Sequence, residues 1–162
     1  MGGSDDEAWH YLRRSFAYSE RFRMKIRVIA IGKLKSRAIA ELVEDYAGRI
    51  GRYMPFELVV AKDEKSVKLD RDDFLVACDE HGDETTSKGL SDFLAQHQRV
   101  GTKRLTFLIG DAPGISALMK GRAKTMLSLS KLTFPHELAR VVLLEQLYRA
   151  CTILRGEKYH YG

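Results

Sequence analysis

The sequence predicts an α/β protein with a mostly parallel sheet and helices on both faces. Short apolar strand-like runs alternate with helix-periodic segments from Met24 to the end of the chain. Runs such as Leu105-Thr106-Phe107-Leu108-Ile109 are apolar almost throughout, as in strands covered on both sides. No Pro-, Gly- or Ser-rich linker divides the 162 residues, and 44% hydrophobic content is enough for one sizeable core.

Residues 1–23 stand apart from this pattern. A polar start, Gly2-Gly3-Ser4-Asp5-Asp6-Glu7, precedes Trp9, Leu12 and Phe16 at helical spacing. There is no apolar core or cleavage pattern of a signal peptide. The segment reads either as a short docked helix or as an extension from an upstream start codon, with the domain proper at 24–162.

Strand and helix then follow in turn. Lys25 to Ile31 is a strand closed by Gly32, and Ile39, Leu42, Val43, Tyr46 and Ile50 mark a helix over 36–50. Pro55 to Ala61 is a second strand. The charged stretch 62–72 is either a loop or a poorly amphipathic helix. Phe74 to Cys78 is the third strand, and Ser87 caps a helix carrying Leu90, Phe93, Leu94 and His97. Leu105 to Ile109 is the fourth strand. A helix over 116–124, a fifth strand over 126–130 and a long helix from His136 to Leu154 complete the pattern.

Ligands of open parallel sheets lie beyond the carboxyl ends of the strands. That rule selects the loops after Cys78, Ile109 and Leu129. Gly110-Asp111-Ala112-Pro113-Gly114 is a glycine-bracketed turn whose backbone can approach a ligand closely. It lacks the three-glycine dinucleotide fingerprint and the P-loop ending, which disfavours an NAD enzyme or an NTPase. A plain tight turn is the competing reading. In Ser128 to His136, hydroxyls alternate with apolar residues before Pro135 fixes the chain at a helix start. The last helix is apolar around most of its circumference, although it carries Arg140, Glu145, Gln146 and Arg149. One face is therefore expected to meet a second subunit. Tyr159-His160-Tyr161 is either a frayed terminus or a cap over a site.

Composition narrows the class only slightly. A net charge of +5 tilts the chain mildly towards polyanions. Cys78 and Cys151 show no metal-ligand spacing and read as buried thiols of a reducing, cytoplasmic compartment. No run approaches the length of a membrane span.

Several of these strings together resemble a known family, the RlmH-type methyltransferases of large-subunit ribosomal RNA within the SPOUT superfamily. The resemblance covers Met24 to Gly162. It is densest in Phe107-Leu108-Ile109-Gly110, Leu132-Thr133-Phe134-Pro135-His136, Arg140, Glu145-Gln146-Leu147-Tyr148-Arg149-Ala150 and Tyr159-His160. It implies a C-terminal trefoil knot, S-adenosyl-L-methionine as cofactor, no metal, and a homodimer. It also implies methylation at N(3) of a pseudouridine in 23S ribosomal RNA, on the assembled ribosome.

Carried over by position, the resemblance assigns cofactor binding to Cys78, Gly110, Asp111, Ser130, Lys131, Leu132, Thr133, Phe134 and Pro135. It assigns proton abstraction to His160 and base positioning to Tyr159. Arg140 would stabilise charge on the carbonyl oxygens or hold a phosphate. The chain departs from the family pattern at three places: Cys78 replaces a leucine, Asp111 the second glycine of a pair, and Tyr161 a basic residue. Asp111 requires backbone angles that a non-glycine can adopt. A SPOUT enzyme acting on another RNA, such as transfer RNA, and a non-catalytic RNA-binding relative remain as other readings.

Overall fold

The computed structural model describes residues 23–112 and 114–161; the helix expected around Trp9, Leu12 and Phe16 falls outside them. Five strands form one sheet: β1 (Lys25–Ile31), β2 (Phe56–Ala61), β3 (Asp73–Glu84), β4 (Arg104–Ile109) and β5 (Thr125–Ser128). Their order is β2-β1-β4-β3-β5, and every neighbouring pair is parallel. Four helices accompany them: α1 (Arg37–Gly51), α2 (Ser87–Arg99), α3 (Ala117–Arg122) and α4 (His136–Leu154).

The two faces of the sheet are covered unequally. On one face Ile26, Val28, Val76, Leu105 and Phe107 pack with α1, α2 and α4 in the larger core. The other face holds Ile29, Leu75, Ala77 and Leu108 under α3 and the chain around Val67. Successive residues of β1 and β4 thus point into different cores, which is why the carboxyl halves of both strands, Val28 to Ile31 and Phe107 to Ile109, are continuously apolar. Helix α4 has few exposed residues because it lies against both α1 and α2 while its inner side meets the sheet. Its buried row is Arg140, Leu143, Leu144, Leu147 and Cys151.

Two boundaries differ from the sequence reading, and one open choice, between loop and helix for 62–72, is decided. Helix α2 is capped by Thr86, whose hydroxyl accepts from the Gly89 amide, so Ser87 is already inside the helix. The stretch 62–72 is a loop with one 3-10 turn, Glu64–Ser66, capped by Asp63. β3 runs far past Cys78. Its register with β5 breaks between Cys78 and Asp83, both of which face Leu127. This bulge expels residues 79–82 towards the carboxyl edge of the sheet. It needs a glycine: a Cβ on Gly82 would lie 2.7 Å from the Met126 carbonyl carbon.

Candidate active site

The carboxyl ends of β1, β3 and β4 align, with Ala30 and Cys78 both opposite Ile109. At that edge the bulge after β3, the turn after β4 and the chain after β5 enclose a cavity of about 400 Å³. This volume suits a nucleoside-sized ligand. Of the nine residues expected to bind cofactor, eight line it: Cys78, Gly110, Asp111, Ser130, Leu132, Thr133, Phe134 and Pro135. Lys131 does not. Its side chain points to solvent at 85% exposure and reaches Glu84 at 3.7 Å.

Each wall has a local cause. Gly110 allows the turn to close, since a Cβ there would sit 2.8 Å from the carbonyl carbon of Gly114 and 2.9 Å from Cγ1 of Ile115. Asp111 is free of backbone strain, because no described non-glycine residue has a positive φ. Its Oδ1 accepts from the Ala112 amide at 2.9 Å and lies 3.2 Å from Nε2 of His136. After β5, the Ser128 hydroxyl donates to the Ser130 carbonyl at 3.0 Å. The Ser130 hydroxyl accepts from the Leu132 amide at 2.9 Å. These local bonds hold Leu132 and Phe134 in place along the mouth. Leu132 is 73% exposed, an unpartnered apolar surface fit for the face of a planar ring.

Electrostatically the cavity is acidic. Asp79, Glu80 and Asp111 line it, and the sequence reading had not named the first two as site residues. The loop-after-strand rule pointed to them, but only the bulge shows that they face inward. Lys120 holds Asp79 at 2.8 Å, and the Thr133 hydroxyl donates to Glu80 at 3.4 Å. For Asp79, burial raises the pKa, but the bonds from Lys120 and His81 outweigh it and leave the carboxyl below its ordinary value. The Cys78 thiol, pushed up to about 12 by burial, stays protonated and serves as an apolar wall. An apolar flank and carboxylates at the cavity wall fit a nucleoside that carries a cationic group.

The three residues expected to be catalytic are not brought together. Arg140 is buried at 1% exposure, and its Nη2 donates to the Ile31 carbonyl at 2.7 Å and to the Gly32 carbonyl at 2.5 Å. Its Nε and Nη1 have no partner among the described residues. Desolvation lowers its pKa, opposed by the nearby charges of Asp111 and Glu137. So placed, Arg140 braces the turn after β1 behind the cavity wall.

Tyr159 and His160 lie against the far half of α4. The Tyr159 hydroxyl donates to Glu145 at 3.2 Å, its ring meets Tyr148 edge-on at 4.7 Å, and Arg149 sits over its face at 4.8 Å. Burial first, then hydrogen bonding, pushes the Tyr159 phenol up to about 12. Arg149 Nη1 is 3.3 Å from His160 Nδ1. Ala139 lines the cavity and Arg149 touches His160, ten residues later on one helix. At 1.5 Å per residue the tail is therefore about 15 Å along α4 from its own cavity.

Comparison with known proteins bears on this arrangement. The model of a family described as predicted SPOUT methyltransferase matches residues 24–160. The chain is similar to the ribosomal RNA large subunit methyltransferase H of Geotalea daltonii, at 38% identity over 153 residues, covering 85% of this chain and 100% of that one. It is 45% identical over 145 residues to the protein of the same name from Koribacter versatilis, covering 86% and 99% respectively. Among solved structures, a probable methylase family protein from Haemophilus influenzae superposes with a TM-score of 0.54 at 10% identity. That match covers 85% of this chain and 70% of the other, and shows the fold alone.

Proposed function

The chain belongs to the SPOUT methyltransferase family, and from that premise we propose that it methylates 23S ribosomal RNA of the large ribosomal subunit at N(3) of a pseudouridine, with S-adenosylmethionine as donor. The observation that carries this reading is the cavity at the carboxyl edge, where eight positions expected to bind the donor converge. The methyltransferase unit is residues 24–162, and it works in the cytoplasm. No helix among the described residues is long and apolar enough to cross a membrane.

The donor supplies a methyl group on a sulfonium. Bound in this cavity, the donor would give up its methyl group to N(3) with the bonding pair kept by sulfur, and the N(3) proton would have to leave. The chain's work is to align, desolvate and accept that proton. Leu132 and Phe134 flank the nucleoside, while the carboxylates of Asp111 and Glu80 favour a cationic ligand. Arg140 is a positioning residue that fixes the turn after β1. His160 is the proton acceptor, and Tyr159 holds the base. A neutral His160 that accepts from Arg149 at Nδ1 carries its proton on Nε2, so it must release Arg149 to act as a base.

The 15 Å gap within one chain supports a homodimer, with the tail of one copy placed over the cavity of the other. The partly exposed Leu138 and Val141 of α4 provide apolar surface for such pairing. The trefoil knot belongs to the same reading. Mass spectrometry of nucleosides from ribosomes, with and without the gene, tests the reaction. A missing methyl-pseudouridine that purified protein and S-adenosylmethionine restore is the expected result. An unchanged 23S profile with a lost transfer RNA methylation would redirect the enzyme to a different substrate.

A further inference from the structure

The two sides of the turn at Gly32 carry opposite charge. On the inner side lie the acidic cavity and Asp111, whose Oδ2 is 2.7 Å from where a Cβ on Gly32 would stand. On the outer side the loop from Gly32 to Ser36 exposes Lys33 and Lys35 to solvent. Neither ammonium has a carboxylate within 4.0 Å among the described residues. Arg37 is different, because it is engaged by Glu41 at 3.1 Å.

The main chain of this loop is fastened at both ends. Gly32 takes a φ of 89°, and its carbonyl and that of Ile31 receive Arg140. At the other end Glu137 accepts from the Lys35 and Ser36 amides. Those hydrogen bonds hold the Glu137 carboxyl below its ordinary pKa, the Lys35 amide foremost. Both anchors belong to the first turns of α4, whose His136 and Ala139 line the cavity. Two cations without a carboxylate partner therefore stand on a braced backbone that abuts the cavity wall at Asp111.

We propose that Lys33 and Lys35 dock the RNA phosphates flanking the methylated nucleotide. This inference rests on the function proposed above and adds the surface that receives the substrate. Glu80 and Asp111 line the cavity beside an Asp79 already paired with Lys120, and no lysine or arginine lines it, so the neighbouring cationic loop is what favours the approach of a polyanion. Phosphate contacts fix register without reading sequence, which matches two lysines on a fixed loop. Because the backbone is already ordered, docking carries no cost of ordering the loop.

The test uses the full chain and large ribosomal subunits from cells lacking the gene, with binding measured across a range of salt. K33A/K35A is compared with R71A/R99A, which removes the same charge from exposed positions at the opposite edge of the sheet. Each lost phosphate contact should lower the slope of log affinity against log salt by about 1. For K33A/K35A a slope lower by about 2 and roughly fifty- to hundredfold weaker binding near 0.1 M salt are expected. S-adenosylmethionine affinity stays unchanged by calorimetry, and R71A/R99A keeps the wild-type slope. A wild-type slope in K33A/K35A, or an equal loss in R71A/R99A, overturns the docking surface while wild-type methylation leaves the proposed function standing. Wild-type protein that neither binds nor methylates the subunits overturns both.

Discussion

Arg140 donates its Nη2 to the carbonyl of Ile31 at 2.7 Å, tying the first turns of α4 to the carboxyl end of β1. The bond is buried and joins residues 109 positions apart. It holds the turn at Gly32 against Asp111, and through it one wall of the cavity. Replacing Arg140 with alanine leaves a void and strips two carbonyls of their donor. A loss of about 2–4 kcal/mol is expected, read from the urea midpoint. An unchanged midpoint would show that the brace is not structural.

Asp111 should set the preference for charged donor over neutral product. S-adenosylmethionine carries a sulfonium, whereas S-adenosylhomocysteine carries a thioether. Asp111→Asn is expected to narrow the affinity ratio of the two ligands by roughly two- to fivefold, about 0.5–1 kcal/mol for a partly screened charge. Competitive calorimetry gives the ratio directly. An unaltered ratio would mean that the carboxylate does not face the sulfur.

His160→Ala should slow methyl transfer by roughly a hundredfold or more and leave cofactor affinity intact. If the tail serves the partner's cavity, mixing inactive His160→Ala with inactive Gly110→Val must restore part of the activity. Each mixed dimer then holds one sound cavity facing one sound tail. No recovery in a mixture that forms dimers would place tail and cavity in the same chain.

At the opposite edge of the sheet, Asp73 accepts from Arg104 and Thr106, each at 2.6 Å. Burial alone would raise its pKa, but these hydrogen bonds prevail and hold it at about 2. A folded value below the unfolded one means that the stabilisation is full above pH 4 and is lost as pH falls towards 2. Its size is about 2 kcal/mol. Asp73→Asn should therefore show a flatter loss of stability between pH 5 and 2.5 than wild type, measured by urea unfolding.

Much of this was legible in the residues, and the exceptions have physical causes. Helix α4 occupies the span from His136 to Leu154 that its pattern indicated, because an apolar surface on nearly all sides leaves no other solution. The extension of β3 to Glu84 was hidden, since Asp79 to Glu84 is polar and becomes strand only by pairing with β5 after a bulge. Arg140 carries a legible signal. It precedes Leu143, Leu144 and Leu147 at helical spacings of three, four and seven, which places it on the buried stripe. The separation of His160 from the cavity could not be read at all, because it depends on how far α4 runs before the tail turns back.

The central claim is that the cavity closed by Gly110 holds the methyl donor, and Gly110→Val tests it most directly. A side chain there collides with Gly114 and Ile115, so the turn must open. Calorimetry with S-adenosylmethionine should show saturable binding to wild type and none to a Gly110→Val protein whose circular dichroism spectrum is native. Equal affinity in the two proteins would contradict the account, since the donor would then lie elsewhere.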